Sequence, residues 1–312
     1  MRRAFVALAS ASALLIAACG SGTIESQLKP SRIVVFGDSF SDLGQGGPRY
    51  TVNDGSVNIW TLQVAASFGV GLTAQASGGT SYATGNARVN TRPDAAGNAA
   101  TPSVKEQIDA FLATGAIGAN DLVIVNGGIA DIVAEMAKVT AGTQTADQML
   151  VNVRQAGRDL AAQVRRLVQA GGAHVVVVGP FHLGKTPWAI TTSQVAVLTE
   201  ASSRFSDELL VAIVDLGANV LYVDAPLHFN LMVASPPSFD LINAVDSVCT
   251  SVDPGPGIGT GTGQVNSALC TTSTLLPGAD YARFLFADRI YPTPQGHRKF
   301  GEYAYTRIRA RW

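Results

Sequence analysis

The chain carries little charge for its length, and the charge it has is balanced. Only 14% of the 312 residues are charged, with 22 Lys and Arg against 23 Asp and Glu, so the net charge is −1. No basic stripe and no interleaving of basic with aromatic residues is present, which excludes the usual nucleic-acid-binding surfaces. Hydrophobic residues make up 47% of the chain, which at this length is typical of one large α/β domain or two small ones.

The sequence also lacks the common signatures of cofactor and metal sites. No glycine pattern of the Rossmann or P-loop kind opens a helix after a strand, and the glycines at 255–263 match neither. The chain has three cysteines and four histidines, and none stand at the spacing of a zinc site. We therefore predict neither a metal nor an organic cofactor.

A mostly apolar run lies at the N-terminus, in MRRAFVALASASALLIAACG. Because it follows two arginines and is too short for a comfortable membrane span, residues 1–18 are predicted to be a secretory signal peptide. The ending IAAC resembles the lipobox of bacterial lipoproteins, which implies that Cys19 is lipidated and anchors the chain to a membrane. Gly20 follows instead of Asp, which favours the outer membrane, on its periplasmic or surface face. An ordinary cleaved signal is the alternative.

The other two cysteines, Cys249 and Cys270, flank a loop rich in Gly, Pro, Ser and Thr. Such a loop has little packing of its own, and a disulfide at its base would restrict the unfolded chain by about 3 kcal/mol. An exported protein meets an oxidising compartment that permits this bond. We predict a Cys249–Cys270 disulfide, with two free thiols as the alternative.

After a flexible lipidated tether at 19–30, residues 31–312 are predicted to form a single domain. Short apolar runs predict strands at 32–38, 69–75, 121–128, 174–180 and 219–225, and helical spacing predicts helices at 102–115, 145–172 and 192–217. This alternation indicates a parallel sheet covered by helices on both faces. Ligands of such sheets bind at the carboxyl ends of the strands, which nominates the segments 37–42, 126–131, 179–187 and 224–228.

The first of these segments contains the best candidate nucleophile. In VVFGDSFSDLG a buried strand stops at Gly37, and Ser39 follows at the strand's carboxyl end. If a helix begins there, unpaired backbone N–H groups near Ser39 could bind a developing oxyanion. The alternative is that Ser39 only caps that helix.

FGDSFSDLG resembles the nucleophile block of the GDSL, or SGNH, hydrolase family, and further blocks follow in the family's order. These are QASGGTSYATGNAR at 75–88, VNGGIADIV at 125–133 and ADRIYPTPQGH at 287–297. The resemblance implies a three-layer α/β/α sandwich with a five-stranded, flavodoxin-like parallel sheet. It also implies that Ser39 is the nucleophile, and that the oxyanion hole includes backbone N–H groups of Ser39 and Gly79.

Two positions depart from the family pattern. Ala130 stands where the family has an Asn that donates to the oxyanion, and losing one such donor typically costs a factor of about 10²–10³ in rate. Asn126, at the end of the same strand, is the nearest side chain that could compensate. Tyr291 stands where the family has its catalytic His, and a phenol with a pKa near 10 is a poor general base at neutral pH.

Three interpretations of the missing base remain open. His297, paired with Asp288, could complete a relocated triad with Ser39. Alternatively, His182 or His228, each following a strand, could supply the imidazole, whereas His174 starts a strand and is expected to be structural. In the third interpretation the chain has kept the fold and the serine but has lost hydrolysis.

We therefore predict an exported, lipid-anchored ester hydrolase that acts through an acyl-serine intermediate on an ester-bearing small molecule or lipid. The alternative from another class is a non-catalytic or weakly active cell-envelope binding lipoprotein that uses the same cleft to hold a ligand. No nucleic-acid partner is expected, and the sequence does not define an oligomeric state.

Overall fold

The computed structural model describes residues 26–312, so the predicted signal peptide and Cys19 lie outside the described residues. Within this range the chain forms eight α-helices. They are α1 (Trp60–Phe68), α2 (Val104–Thr114), α3 (Ile129–Thr140), α4 (Ala146–Gln169), α5 (Pro187–Thr191), α6 (Val195–Ile213), α7 (Ala225–Ala234) and α8 (Pro294–Arg311). The helices predicted at 102–115, 145–172 and 192–217 are confirmed as α2, α4 and α6.

Four strands form the central parallel sheet. They are β1 (Arg32–Phe36), β2 (Asp121–Asn126), β3 (His174–Val178) and β4 (Val220–Tyr222), and they lie side by side in this order. β2 is buried along its whole length, and β1 and β3 are buried after their first residue, as expected for β-branched strands that are covered on both faces. The predicted α/β class with a parallel sheet is confirmed.

The predicted fifth strand of this sheet is absent, which corrects the expectation taken from the family. Residues 69–75 form no strand. Instead, the chain beyond them touches β1 through an isolated bridge between Val35 and Ser81. Two hydrogen bonds hold it there, from Val35 N–H to the Thr80 carbonyl (3.0 Å) and from Tyr82 N–H to the Val35 carbonyl (2.7 Å). The segment GVGLTAQ is short and contains two glycines, so it has few side chains that favour a strand.

Helices cover the sheet on both faces. α4 packs against β3 and α6, and α3 joins the same layer, whereas α1, α7 and α8 pack together in the other layer. The main core is built from the strand side chains and the inward faces of these helices. Leu28 and Pro30, at the end of the predicted tether, are also buried, so the packed domain begins before residue 31. No helix within residues 26–312 is long and apolar enough to cross a membrane.

The C-terminal third contains four short strands outside the central sheet, and they form two separate pairs. β5 (Asn243–Ser247) pairs with β8 (Phe284–Phe286), and β6 (Val252–Asp253) pairs with β7 (Gln264–Val265). Cys249 and Cys270 form the predicted disulfide, with their Cα atoms 5.9 Å apart. This bond closes the base of the loop at 249–270, which we call the disulfide loop.

Candidate active site

Ser39 lies in a turn at the carboxyl end of β1. Ser41 N–H donates to the Asp38 carbonyl (3.0 Å), and Phe40 N–H donates to Asp38 Oδ1 (3.0 Å). No α-helix starts here, because the next one in the chain is α1 at Trp60. Ser39 is therefore not a helix cap, and the alternative structural explanation for it is wrong. Its role as nucleophile stays a prediction.

The hydroxyl group of Ser39 is held by Asn86. The Asn86 backbone N–H donates to Ser39 Oγ at 2.7 Å, and Ser39 Oγ lies 3.3 Å from Asn86 Oδ1. Asn86 has φ = 60°, in the left-handed region, where Asn is one of the few side chains commonly found. Sequence reasoning missed Asn86, although it lies in the second family block, directly after a glycine.

The glycine assigned to the oxyanion hole, Gly79, does not reach Ser39. Gly79 N–H donates to the Ala74 carbonyl (3.0 Å) in a turn near the middle of β1, so it cannot serve Ser39. The same segment reaches the site at Gly85, whose N–H donates to Asp42 Oδ2 at 2.8 Å. A Cβ atom at position 85 would overlap the hydroxyl oxygen of Tyr50, so glycine is needed there for this close approach.

The side chain of Asn126 is directed at Asp38. One N–H of its amide donates to Asp38 Oδ1 at 2.7 Å. Gly37 allows this contact, because a Cβ atom there would overlap the Asn126 side chain. Burial raises the pKa of Asp38 to about 6, and Asp38 Oδ2 is buried without a hydrogen-bond partner within residues 26–312. Compensation for Ala130 by Asn126 stays a prediction.

Two tyrosine phenols share the neighbourhood of the Ser39 hydroxyl group. Their rings, on Tyr50 and Tyr291, meet edge to face with centroids 5.4 Å apart. Burial raises the pKa of both phenols above the usual value, and the Ser39 hydroxyl group lowers each pKa by a smaller amount. Tyr291 thus lies where the family pattern puts its base, but it stays protonated at neutral pH.

The carboxylate of Asp288 is buried, and the groups that donate hydrogen bonds to it do not include a histidine. Its carboxylate accepts hydrogen bonds from the backbone N–H groups of Ile290 (2.8 Å), Tyr291 (2.7 Å) and Ser267 (2.9 Å), and from the Ser267 hydroxyl group. Burial raises its pKa, although these donors oppose the shift. Asp288 therefore fixes the backbone in front of Tyr291 and ties it to the disulfide loop.

His297 does not join Asp288, so the relocated triad is not formed. The imidazole is fully buried in the first turn of α8 and stacks on Phe40 with centroids 5.2 Å apart. Its Nδ1 accepts a hydrogen bond from the Trp60 N–H (3.3 Å), and burial lowers its pKa to about 3. This environment favours a neutral, structural imidazole behind the site.

The other three histidines also contact residues other than Ser39. His182 contacts Asn230 through Nδ1 (2.9 Å) and Ser203 through Nε2 (3.3 Å). His228 stacks on Tyr303 with centroids 4.5 Å apart, and burial lowers its pKa to about 4. His174 packs against Trp312. Within residues 26–312, no histidine forms a hydrogen bond with Ser39.

The disulfide loop covers the site. Asn86 Nδ2 donates to the Gly257 carbonyl at 3.0 Å, and the adjacent Ile258 is buried in the main core. Ser39 is 0% exposed, so a substrate can reach the hydroxyl group only if one of the groups that surround it moves.

A polar cavity of about 290 Å³ adjoins this cover. Tyr50, Gly85 and Asn86 line it, together with Asp42, Asp94 and several small residues. One of its lining residues, Asn86, donates its backbone N–H to the Ser39 hydroxyl group, and another, Tyr50, packs against the adjacent Gly85. The cavity is therefore the natural place for a ligand next to Ser39.

In a comparison with known protein families, residues 33–304 match the family described as GDSL-like lipase/acylhydrolase. An uncharacterised protein from the trpE–trpG intergenic region of Pseudomonas putida is 29% identical over 304 residues. The match covers 90% of this chain but only 49% of that relative, so the chain spans about half the relative's length.

Several solved structures share a similar chain path at low identity. They include a Lactobacillus plantarum protein (13% identity, 91% of this chain, 99% of that chain, TM-score 0.49). Est24, a carbohydrate acetylesterase from Sinorhizobium meliloti, is 14% identical over 90% of this chain and 99% of its own (TM-score 0.44). At these identities and TM-scores the likeness says nothing about activity.

Proposed function

Because the chain belongs to the GDSL-like lipase/acylhydrolase family, we propose that it is a serine ester hydrolase of low turnover, with Ser39 as the nucleophile. The observation that carries this proposal is the Ser39 hydroxyl group, held at 2.7 Å by the Asn86 N–H at the carboxyl end of β1. The low turnover follows from Tyr291, which stands where a base would be.

The reaction takes place in two steps. Ser39 Oγ forms a bond to the acyl carbon, the bond between that carbon and the alcohol oxygen breaks, and the serine proton passes to the departing alcohol without help from a general base. Water then breaks the acyl–Oγ bond, releasing the acid and restoring the hydroxyl group. Both steps are slow because the phenol of Tyr291 is already protonated at neutral pH and cannot accept the serine proton.

The proposal is tested by hydrolysis of p-nitrophenyl acetate. Ser39→Ala should reduce the rate to that of the buffer, while the protein stays folded by circular dichroism. Ser81→Ala is the matched control, since Ser81 is also buried but its hydroxyl group has no hydrogen-bond partner within residues 26–312. A Ser39→Ala variant with wild-type activity contradicts the proposal.

A second candidate is a binding protein that holds an ester or acyl ligand without turning it over. The specific observation in its favour is the complete burial of Ser39 together with Tyr291 in place of a base. This candidate predicts that a non-hydrolysable ester analogue raises the melting temperature equally in wild type and Ser39→Ala, with no turnover in either.

Export and anchoring are proposed separately. The disulfide between Cys249 and Cys270 supports an oxidising compartment, and LLIAAC supports lipidation of Cys19. Cys19→Ser should release the protein from the membrane fraction. A mature N-terminus at a residue other than Cys19, found by mass spectrometry, excludes the lipid anchor.

A further inference from the structure

We propose that Tyr50 is a further catalytic residue of this site, and that its phenol donates a hydrogen bond to the ester carbonyl oxygen while Ser39 attacks. It supplies the side-chain donor that Ala130 cannot provide. This inference rests on the proposed function of Ser39, and the experiment below separates the two.

The position of Tyr50 supports this role. The residue lies in the irregular segment before α1, and its ring packs edge to face on Tyr291. Its hydroxyl oxygen packs against Gly85, where any side chain would overlap it. That hydroxyl group therefore lies one residue from Asn86, whose backbone N–H donates to Ser39 Oγ at 2.7 Å. The phenol is thus held by packing, as a preorganised donor must be.

Tyr50 is also the phenol that a ligand can reach. It lines the polar cavity of about 290 Å³, together with Asn86. Tyr291 is 1% exposed and is not among the residues that line this cavity. A carbonyl group that enters from the cavity therefore meets Tyr50 before it meets Ser39.

The chemistry of the phenol fits a donor and not a base. Burial, and to a lesser extent the nearby Asp42 carboxylate, raises the pKa of Tyr50 above its usual value. The hydroxyl group consequently keeps its proton throughout the physiological range and can donate it in a hydrogen bond. Donors aimed at developing charge stabilise the transition state more than the ground state, because only the transition state carries that charge.

The test compares kcat and KM for p-nitrophenyl acetate in wild type, Tyr50→Phe and Tyr305→Phe. Tyr305→Phe is the matched control, since Tyr305 lies on α8 and packs on Phe68. Tyr50→Phe should lower kcat by about 10²–10³ with KM nearly unchanged, and Tyr305→Phe should change neither. An unchanged kcat, or a raised KM with kcat unchanged, overturns the proposal.

The rate at which a fluorophosphonate labels Ser39 gives a second readout that needs no turnover. It should fall in Tyr50→Phe, and also in Gly85→Ala, where the added Cβ atom displaces the phenol. If Ser39 reacts in wild type but equally fast in both variants, the role of Tyr50 is wrong and Ser39 remains the nucleophile. If Ser39 does not react in wild type, the proposed function fails, and this inference fails with it.

Discussion

The two chain segments that meet at Ser39 differ in how much of a hydrolase site they retain. The nucleophile segment, residues 37–42, places Ser39 at the end of β1 and has Asn86 and Asn126 as hydrogen-bond partners. The terminal segment, residues 286–300, keeps Asp288 and its hydrogen bonds to the following backbone but presents a phenol to Ser39. If the proposed function holds, the backbone of the terminal segment keeps its hydrogen bonds although a phenol stands in place of a proton acceptor.

The largest expected effect comes from restoring an imidazole to the terminal segment. Tyr291→His should raise kcat for p-nitrophenyl acetate by about 10²–10⁴, the usual contribution of a positioned general base. Tyr291→Phe is the matched control, because it removes the phenol hydroxyl group without adding a base. An equal response of the two variants would mean that loss of the phenol, and not gain of an imidazole, changes the rate.

Removing the disulfide tests the role of the disulfide loop, which contacts both segments. The loop contacts the nucleophile side through Gly257 and Asn86, and the terminal side through Ser267 and Asp288. Replacing both cysteines with serine should lower the free energy of unfolding in urea by about 3 kcal/mol and should speed the labelling of Ser39. Dithiothreitol should reproduce both effects in wild type and leave the double variant unchanged; a double variant as stable as wild type contradicts this account.

A smaller gain is expected from restoring the amide at position 130, in α3. Ala130→Asn should add about tenfold to kcat in the Tyr291→His background, less than the full contribution of an oxyanion donor because the buried site must also accommodate the larger side chain. The backbone of Ala130 lies beside Asp38, the residue before Ser39, so an amide introduced at position 130 starts close to the nucleophile. Ala130→Leu, similar in size but apolar, should give no gain, and a gain in that variant would exclude the donor explanation.

At neutral pH, His297→Phe should have the smallest effect on the reactivity of Ser39. Its main effect should be on how the free energy of unfolding depends on pH. The folded-state pKa of His297 is about 3, against an ordinary value of 6.5, because the imidazole is buried. Below pH 6.5 the unfolded chain binds a proton that the folded chain does not. This histidine therefore lowers the free energy of unfolding by about 1.4 kcal/mol per pH unit between pH 6.5 and 3.

Urea unfolding between pH 7 and 4 should thus give a shallower pH dependence for His297→Phe than for wild type. Asp38 and Asp131, both with pKa values raised by burial to about 6, act in the opposite direction, but they are present in both proteins. Parallel pH profiles would contradict the buried, neutral state of His297.

The sequence was sufficient for the parts of the fold that depend on local pattern. β1 and the turn at Ser39 follow from an apolar β-branched run that ends at glycine, and α2 begins at Ser103 with a capping box. The disulfide follows from two cysteines that flank a loop without apolar packing. Each of these features is specified by neighbouring residues, so no knowledge of the tertiary structure was needed.

The rest depends on long-range contacts. Gly79 and Gly85 lie in one segment, and only the pairing of Thr80 and Tyr82 with Val35 decides which of them reaches Ser39. The direction of His297 is set by Phe40 and Trp60, which are distant in the chain. Tyr50 carries no motif, and the role proposed for it rests only on its contacts.

The most direct test of the central claim, that Ser39 remains a competent nucleophile but lacks an efficient base, is to map the adduct of a fluorophosphonate by mass spectrometry. We expect one adduct, on the peptide that contains Ser39, which forms slowly in wild type and faster in Tyr291→His. An adduct on another residue, or no adduct in either protein, would contradict the account.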